Sequence, residues 1–342
     1  MIYTVVLIPG DGIGPEVTDA VRRVLRAAEA PIEFVEHHAG EAALAHGHRD
    51  LLPEATLDAI RDHRIALKGP CTTPIGSGFR SVNVALRQTL KLFAAVRPVR
   101  SMPGVQTRFE GVDLVIVREN TEGLYSGVEN VITDDVVVSM KVATRVACHR
   151  IALWAFRYAT HRTRRKVSVF HKANIMKLTD GMFLDESRTV HTADYPNIEY
   201  DEHIIDAALM RLVLDPGQFD ILLCENLYGD LVSDLCAGLV GGLGVAPGAN
   251  IGDEQAIFEA VHGSAPAIAG MGIANPLALL MSATMMLNHL ADQHDDAGCR
   301  DVATQIKLAY DRALQDGQRT RDLGGELDTE AFTQAVIERL SG

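Results

Sequence analysis

An α/β fold with a largely parallel sheet is predicted by three features of the chain. Apolar strand-like runs alternate with amphipathic helical stretches, the pattern that lays helices over the faces of a parallel sheet. The hydrophobic share is 47% and the aromatic share only 5%, a balance that fits a soluble α/β enzyme. At 342 residues the chain can bury a sizeable core and form two subdomains, and it shows no internal repeat or low-complexity linker.

The elements follow in order. TVVLIPG (4–10) reads as a strand, and GPEVTDAVRRVLRAA (14–28) as the amphipathic helix after it. The intervening GDGIGPE is a poor dinucleotide fingerprint. Its third Gly comes one residue early for G-x-G-x-x-G, and Glu16 in the first helical turn would repel a pyrophosphate. Its glycines are read as turn residues. RIALKGP (64–70) is a second strand. In the segment after it, a Gly-rich loop (76–79) leads to Ser81, a helix N-cap. Asn83 and Arg87 then share one helical face, while Leu86, Leu90 and Phe93 carry the apolar side. Arg97 follows that helix, just before Pro98. VDLVIVRE, KVSVFHK and FDILLCEN are further apolar runs. FLDESRTVHTADYP and EYDEHIIDAALMRLVL read as mostly helical, and so does the tail from Asn275. LYSGVENVITDDVVVSMKVATR (124–145) differs in kind: its β-branched residues and turn signals suggest an inserted antiparallel ribbon.

The net charge of −13 argues against nucleic acid and against anionic membrane surfaces as partners. It does not exclude an anionic metabolite, because a local Arg cluster can be positive inside an acidic protein. The five cysteines form no CxxC and no zinc-site spacing, and are read as thiols of a reducing compartment. The N-terminus lacks a basic n-region and is not read as a signal peptide. No apolar run reaches the roughly 20 residues of a membrane span; LALLMSATMMLNHL (277–290) reads as a buried helix. A cytoplasmic location is the resulting expectation.

Two clusters carry chemistry. Arg87, Arg97 and Arg118 fall at element ends, where planar guanidinium forks suit a small molecule with several carboxylates. A single arginine so placed is more often solvated or ion-paired; a second cluster shifts the balance. In FDILLCENLYGDLVSD, Asp230 and Asp234 project from one face of a helix, an i,i+4 repulsion that a divalent cation relieves. Two solvated acids on a helix dipole are the plainer alternative. In EAVHGSAPAIAGMGIANP (259–276), Gly263, Ser264 and Ala265 allow close backbone approach to a ligand, and His262 and Asn275 offer polar edges; a surface loop is the plainer reading.

The motifs LIPGDGIGPE, KGPCTTP, SVNVALRQ, RENTEGLYSG, HKANIMK, NLYGDLVSD, GLGVAPGANIG and HGSAPAIAG occur in this order. Over essentially the whole chain they resemble the metal-dependent β-decarboxylating hydroxyacid dehydrogenases, the isocitrate/isopropylmalate dehydrogenase family. The resemblance implies that family's α/β fold, distinct from the Rossmann fold. A large domain would comprise 1–92 and 241–342, a small domain 93–122 and 145–240, and a dimer clasp 123–144. It implies that Ser81, Asn83, Arg87, Arg97 and Arg118 bind substrate, and that Tyr125 and Lys172 form the acid–base pair. Asp206, Asp230 and Asp234 would hold Mg²⁺ or Mn²⁺. Thr72, Asn174, Glu259, His262, Gly263, Ser264, Ala265, Ala267, Ile268 and Asn275 would bind the dinucleotide. Asp206 and Lys172 would reach the site from the other subunit of a homodimer, which would itself allow higher assembly.

Ser81 and Asn83 resemble the family's isocitrate pattern rather than the apolar residues that meet an isopropyl group. The implied reaction is oxidative decarboxylation of isocitrate to 2-oxoglutarate and CO2. A homoisocitrate or related malate-derivative dehydrogenase, or a regulatory subunit, is the alternative. Ala267 and Ile268 stand where NADP-using relatives carry Lys-Tyr, and Arg321 and Gly325 where they carry Tyr and Arg. NAD is therefore the expected cofactor, although the Asp usual in NAD enzymes at position 267 is missing.

Overall fold

The computed structural model describes residues 1–74 and 81–340. In chain order it runs through β1 (Tyr3–Ile8), α1 (Gly14–Ala27), β2 (Ile32–Glu36), α2 (Glu41–Ala45), α3 (Glu54–His63), β3 (Ile65–Lys68) and α4 (Val82–Thr89). There follow β4 (Ala94–Arg100), β5 (Asp113–Glu119), β6 (Gly123–Thr133), β7 (Val136–Val142), α5 (Arg145–His161), β8 (Lys166–His171) and α6 (Thr179–Asp194). Next come β9 (Glu199–Ile204), α7 (Ile205–Leu214), β10 (Ile221–Cys224) and α8 (Asn226–Leu239). The chain closes with β11 (Pro247–Ile251), β12 (Ala256–Ala260), α9 (Leu277–His294), α10 (Ala297–Gln315) and α11 (Thr329–Ile337).

These elements form two compact units. The first comprises Met1–Leu90, Ser101–Glu110 and Val240–Gly342. Its strands lie in the order β2-β1-β3-β12-β11, parallel except for the β11–β12 pair. Val5, Val6, Leu7 and Ile8 of β1 are fully buried, as a central parallel strand covered on both faces requires. The apolar run of α9 has the same cause: it packs on β11 and β12 and against α1 and α10, so Leu277, Leu280, Met286 and Leu287 are all buried. Each such side chain contributes roughly 1.5–3 kcal/mol by leaving water. Among the described residues no helix is long and apolar enough to cross a membrane. Gly10 and Gly12 take positive φ (77° and 59°) in the β1–α1 turn. Glu16 accepts the backbone N–H groups of Ala274 (2.9 Å) and Gly272 (3.3 Å), and so ties α1 to the loop before α9.

The second unit comprises Lys91–Arg100 and Gly111–Leu239. Its strands lie in the order β4-β5-β10-β8-β9, parallel except for the β4–β5 pair. Two expectations are corrected here. The segment EYDEHIIDAALMRLVL is helical over Ile205–Leu214 (α7), but its first part, Glu199–Ile204, is strand β9, which pairs with β8 along its whole length. Arg97 sits within β4, with Pro98 beside it, rather than between helix and breaker. The β-branched insert is an antiparallel ribbon, β6–β7, as its composition predicts. Val131, Ile132 and Val137 stand exposed on it. All five cysteines are free thiols; only Cys71 is not fully buried. The Gly-rich stretch 76–79 lies outside the described residues.

Candidate active site

In the second unit, β5 and α8 build one compact polar cluster. Arg118, next to last in β5, is only 1% exposed. Its Nε and Nη2 both donate to Asn226 Oδ1 (3.0 and 2.7 Å), and its Nη1 pairs with Asp230. The guanidinium carbon lies 5.0 Å from the centre of the Tyr125 ring. Tyr125 Oη donates to Asp230 Oδ2 at 2.5 Å. From β4, Arg97 Nη1 donates to Ser233 Oγ and lies 3.5 Å from Asp230 Oδ1 and 3.6 Å from Asp234 Oδ1. Helical periodicity explains why Asn226, Asp230, Ser233 and Asp234 meet these arginines together. Gly229 makes the approach possible, since a Cβ there would stand 2.5 Å from Arg118 Cγ. Burial, then the hydrogen bond to Asp230, pushes the Tyr125 hydroxyl above its ordinary pKa. It is therefore neutral near pH 7 and retains a proton to give.

Lys172 lies one residue past β8. Its N–H donates to the buried Asp180 carboxylate (2.7 Å), and its Nζ donates to Asp206 Oδ1 (2.5 Å) in the first turn of α7. That contact holds the Asp206 carboxyl below the ordinary range. Asp206, Asp230 and Asp234 offer carboxylate oxygens only, a donor set that fits the hard cations Mg²⁺ and Mn²⁺. Among the described residues no three His, Cys, Asp or Glu side chains of one chain form a metal-sized group. Within a single chain these three acids therefore do not make one donor set.

In the first unit, Ser81 caps α4, its Oγ accepting from Val84 N at 3.5 Å. Among the described residues Asn83 Oδ1 and Arg87 Nε are buried without a hydrogen-bond partner, so both are available to a polar ligand. Arg87 Nη2 also reaches Glu259 Oε1 (3.4 Å) on β12. Glu259 takes a hydrogen bond from Asn250 Nδ2 (2.6 Å) and pairs with the buried Lys68 Nζ (2.6 Å). Burial alone would raise the Glu259 carboxyl, but Lys68 and Arg87 prevail and hold its pKa at about 2. This buried pair is thus charged at neutral pH, its desolvation offset by mutual contact.

The expected dinucleotide loop follows β12. His262 Nδ1 faces the carbonyl of Gly263 at 3.0 Å, so that nitrogen carries the proton. Among the described residues His262 Nε2 is buried without a hydrogen-bond partner, and burial pushes the ring's pKa down. A neutral imidazole acceptor with no donor among the described residues fits the hydroxyls and amine of a dinucleotide. Among the described residues beyond its chain neighbours nothing lies within 4 Å of a Cβ placed on Gly263, and Ala265 is left-handed at φ 40°. Thr72 Oγ1 shares a hydrogen bond with Ser264 Oγ (2.7 Å), and Ile13 N–H donates to Ser264 O (2.9 Å). Asn275 Nδ2 donates to Asp322 Oδ2 (2.9 Å). Ala267 and Ile268 lie on a short 3-10 turn, Ala267 exposed, and Arg321 is exposed in another such turn. Asn174, in the second unit, is exposed past β8.

Three residues at these sites carry little signal in the sequence. Asp11 accepts N–H groups from Glu41 (3.0 Å), Ala42 (2.7 Å) and Thr72 (2.6 Å), so one carboxylate fastens α2 and the Thr72 wall. Its one signal is an acid between two glycines, which by themselves read as turn residues. Lys68 closes a strand and reads only as a strand residue. The sequence suggests a turn over Asn226–Gly229 with a helix starting near Asp230, yet Asn226 opens α8 and fixes Arg118.

Comparison with known proteins gives a consistent picture. The family profile described as isocitrate/isopropylmalate dehydrogenase matches residues 4–340. The mitochondrial NAD isocitrate dehydrogenase catalytic subunit 5 of Arabidopsis thaliana is 48% identical, over 98% of this chain and 88% of that protein. A mitochondrial NAD isocitrate dehydrogenase regulatory subunit of Dictyostelium discoideum is 47% identical, over 99% of this chain and 92% of that protein. The crystal structure of isocitrate dehydrogenase from Methylococcus capsulatus superposes with a TM-score of 0.93 at 47% identity, covering 100% of both chains. The expected cytoplasmic location does not stand: both curated relatives are named as mitochondrial.

Proposed function

The chain belongs to the isocitrate/isopropylmalate dehydrogenase family, a family of oxidoreductases, and from that premise we propose that it is a catalytic chain of an NAD-dependent isocitrate dehydrogenase. The proposed reaction oxidises and decarboxylates isocitrate to 2-oxoglutarate and CO2. The observation that carries this reading is the Tyr125–Asp230–Arg118 cluster, which unites a neutral proton donor, a carboxylate and a buried guanidinium. Identity alone does not separate the roles, since the catalytic and regulatory relatives are 48% and 47% identical.

In this reading Arg97 and Arg118 orient substrate carboxylates, and Ser81, Asn83 and Arg87 contribute the remaining substrate contacts. The orphaned Asn83 Oδ1 and Arg87 Nε support their part. Lys172 moves the substrate hydroxyl proton, and Tyr125 gives its phenolic proton to C3 after CO2 has left. Asp206, Asp230 and Asp234 would hold Mg²⁺ or Mn²⁺, and the loop around His262 would hold NAD. When bound, the cation supplies Lewis acidity and NAD accepts the hydride. Lys172 and Asp206 would serve the site of a second chain, either a copy of this one or a related chain, in keeping with relatives named as subunits.

Initial rates with isocitrate, homoisocitrate and 3-isopropylmalate, each with NAD and NADP and with Mn²⁺, test the reading on the purified chain. Highest kcat/KM for isocitrate with NAD is expected. No turnover of isocitrate by the chain alone would favour the regulatory role instead, and equal kcat/KM for isopropylmalate would remove the argument from Ser81 and Asn83.

A further inference from the structure

A cleft of about 460 Å³ opens where β5, β8 and β10 of the second unit begin. Arg162, Arg164 and Arg165 all line it, brought to one wall by a sharp turn at Thr163, which is left-handed at φ 53°. The two acids that also line the cleft are already engaged. Asp113 Oδ1 accepts from Arg164 Nη2 (2.7 Å), and Asp220 Oδ1 accepts from Arg164 Nη1 (2.9 Å). Asp220 Oδ2 takes the N–H groups of Arg165 (2.8 Å) and Lys166 (3.3 Å). Arg164 is thus locked in the wall, while the exposed Arg165 guanidinium makes no hydrogen bond or ion pair among the described residues.

We propose that this cleft is a binding site for a small phosphate-bearing anion. Its volume falls within the range of small-ligand sites. Three arginines in one lining suit the several oxygens of a phosphate, and their field is local within a chain of net charge −13. Phe219, the aromatic residue of the lining, is only 3% exposed and offers no face on which a base could stack. The ligand chemistry is therefore that of the phosphate groups. Strand rise along β5 puts Asp113 roughly 17 Å from Arg118 near the other end of the same strand, so the cleft is separate from the candidate catalytic cluster. A plain surface ion-pair network needs only Arg164 and its two acids; Arg162 and Arg165 add two more arginines to the same lining.

Isothermal titration of the whole chain with inorganic pyrophosphate, at constant ionic strength and without isocitrate, tests the site. A parallel titration with orthophosphate distinguishes a single phosphate from a linked pair. The comparison proteins are Arg165→Ala and the double variant Arg162→Ala, Arg165→Ala, both of which keep the Arg164 frame and leave isocitrate turnover unchanged. Loss of Arg165 should weaken pyrophosphate binding by about tenfold or more, and the double variant should bind no more tightly than Arg165→Ala. Saturable binding that is equally tight in the double variant puts the anion elsewhere and overturns the proposal, as does no binding up to about 10 mM. Because catalysis is not the readout, these outcomes are independent of the proposed reaction.

Discussion

Replacing Gly229 with alanine tests whether the position of Arg118 governs substrate affinity. The new Cβ would stand 2.5 Å from Arg118 Cγ, 2.6 Å from its Cβ and 3.1 Å from its Cδ. Carbon atoms in contact rest at about 3.5–4.0 Å, so the arginine stem must retreat by roughly 1 Å. It is 1% exposed and tethered to Asn226, so it cannot swing into water. Overpacking of this kind costs about 1–3 kcal/mol, while alanine in a helix interior is about 1 kcal/mol better than glycine. The net loss of stability is therefore about 0–2 kcal/mol, and the variant should fold. Activity should respond more strongly. The guanidinium moves with its stem, and a charge-assisted hydrogen bond to a carboxylate is worth about 1.5–3 kcal/mol. On the proposed function, kcat/KM for isocitrate should fall by about 10- to 100-fold. Urea unfolding followed by circular dichroism measures the first quantity and initial rates the second. Wild-type kcat/KM in a folded Gly229→Ala variant would refute the reasoning.

Three further outcomes are expected. Tyr125→Phe should retain NADH formation in the first turnover but slow steady-state release of 2-oxoglutarate, because the C3 proton donor is gone; stopped-flow absorbance should show a burst, and wild-type steady-state rates would remove Tyr125 from the mechanism. Glu259→Gln should destabilise the fold by about 3–5 kcal/mol at pH 7, since Lys68 is left buried without its anion. The native carboxyl sits at about 2 against an ordinary 4.5, so its stabilising contribution is complete above pH 4.5 and is lost as pH falls toward 2. The stability gap between wild type and variant should therefore narrow on acidification, and a gap equally wide at pH 3 and pH 7 tells against the charged pair. Ala267→Asp should raise the NAD/NADP ratio of kcat/KM by about tenfold or more, by accepting ribose hydroxyls and repelling a 2′-phosphate; an unchanged ratio places that loop elsewhere.

Short-range pattern is what the sequence makes legible. β1, β3, β5, β8 and β10 are continuous apolar runs because they are covered on both faces, and such runs announce themselves. β9 does not, because it lies at the end of its strand order and carries Glu199, Asp201 and Glu202, which resemble a helix start as easily as an edge strand. Arg97 is hard to place for a related reason: Pro98 signals a break, yet a proline fits this strand, where antiparallel pairing with Val115 continues around it. Within the candidate site, the spacing of Asp230 and Asp234 is legible from helical period alone. Contacts between Arg118 and Asn226, or Tyr125 and Asp230, join residues more than 100 positions apart, and nothing local encodes them. Asp11 is hidden for the opposite reason: its glycine neighbours explain the turn so fully that the carboxylate between them looks incidental.

The pairing of Arg97 and Arg118 with Asp230 and Asp234 gives the cluster two positive and two negative charges before any ligand arrives. Such a site is balanced against itself. On the proposed reading, a substrate with three carboxylates draws the guanidiniums from their own acids, which then repel one another and the newcomer. On the same reading a divalent cation alone meets the converse difficulty, since Asp230 and Asp234 are held by arginines. Each ligand is therefore weak without the other, and each relieves the penalty the other incurs. Linkage requires the effect to be reciprocal: on the proposed reading, the factor by which Mn²⁺ tightens isocitrate equals the factor by which isocitrate tightens Mn²⁺.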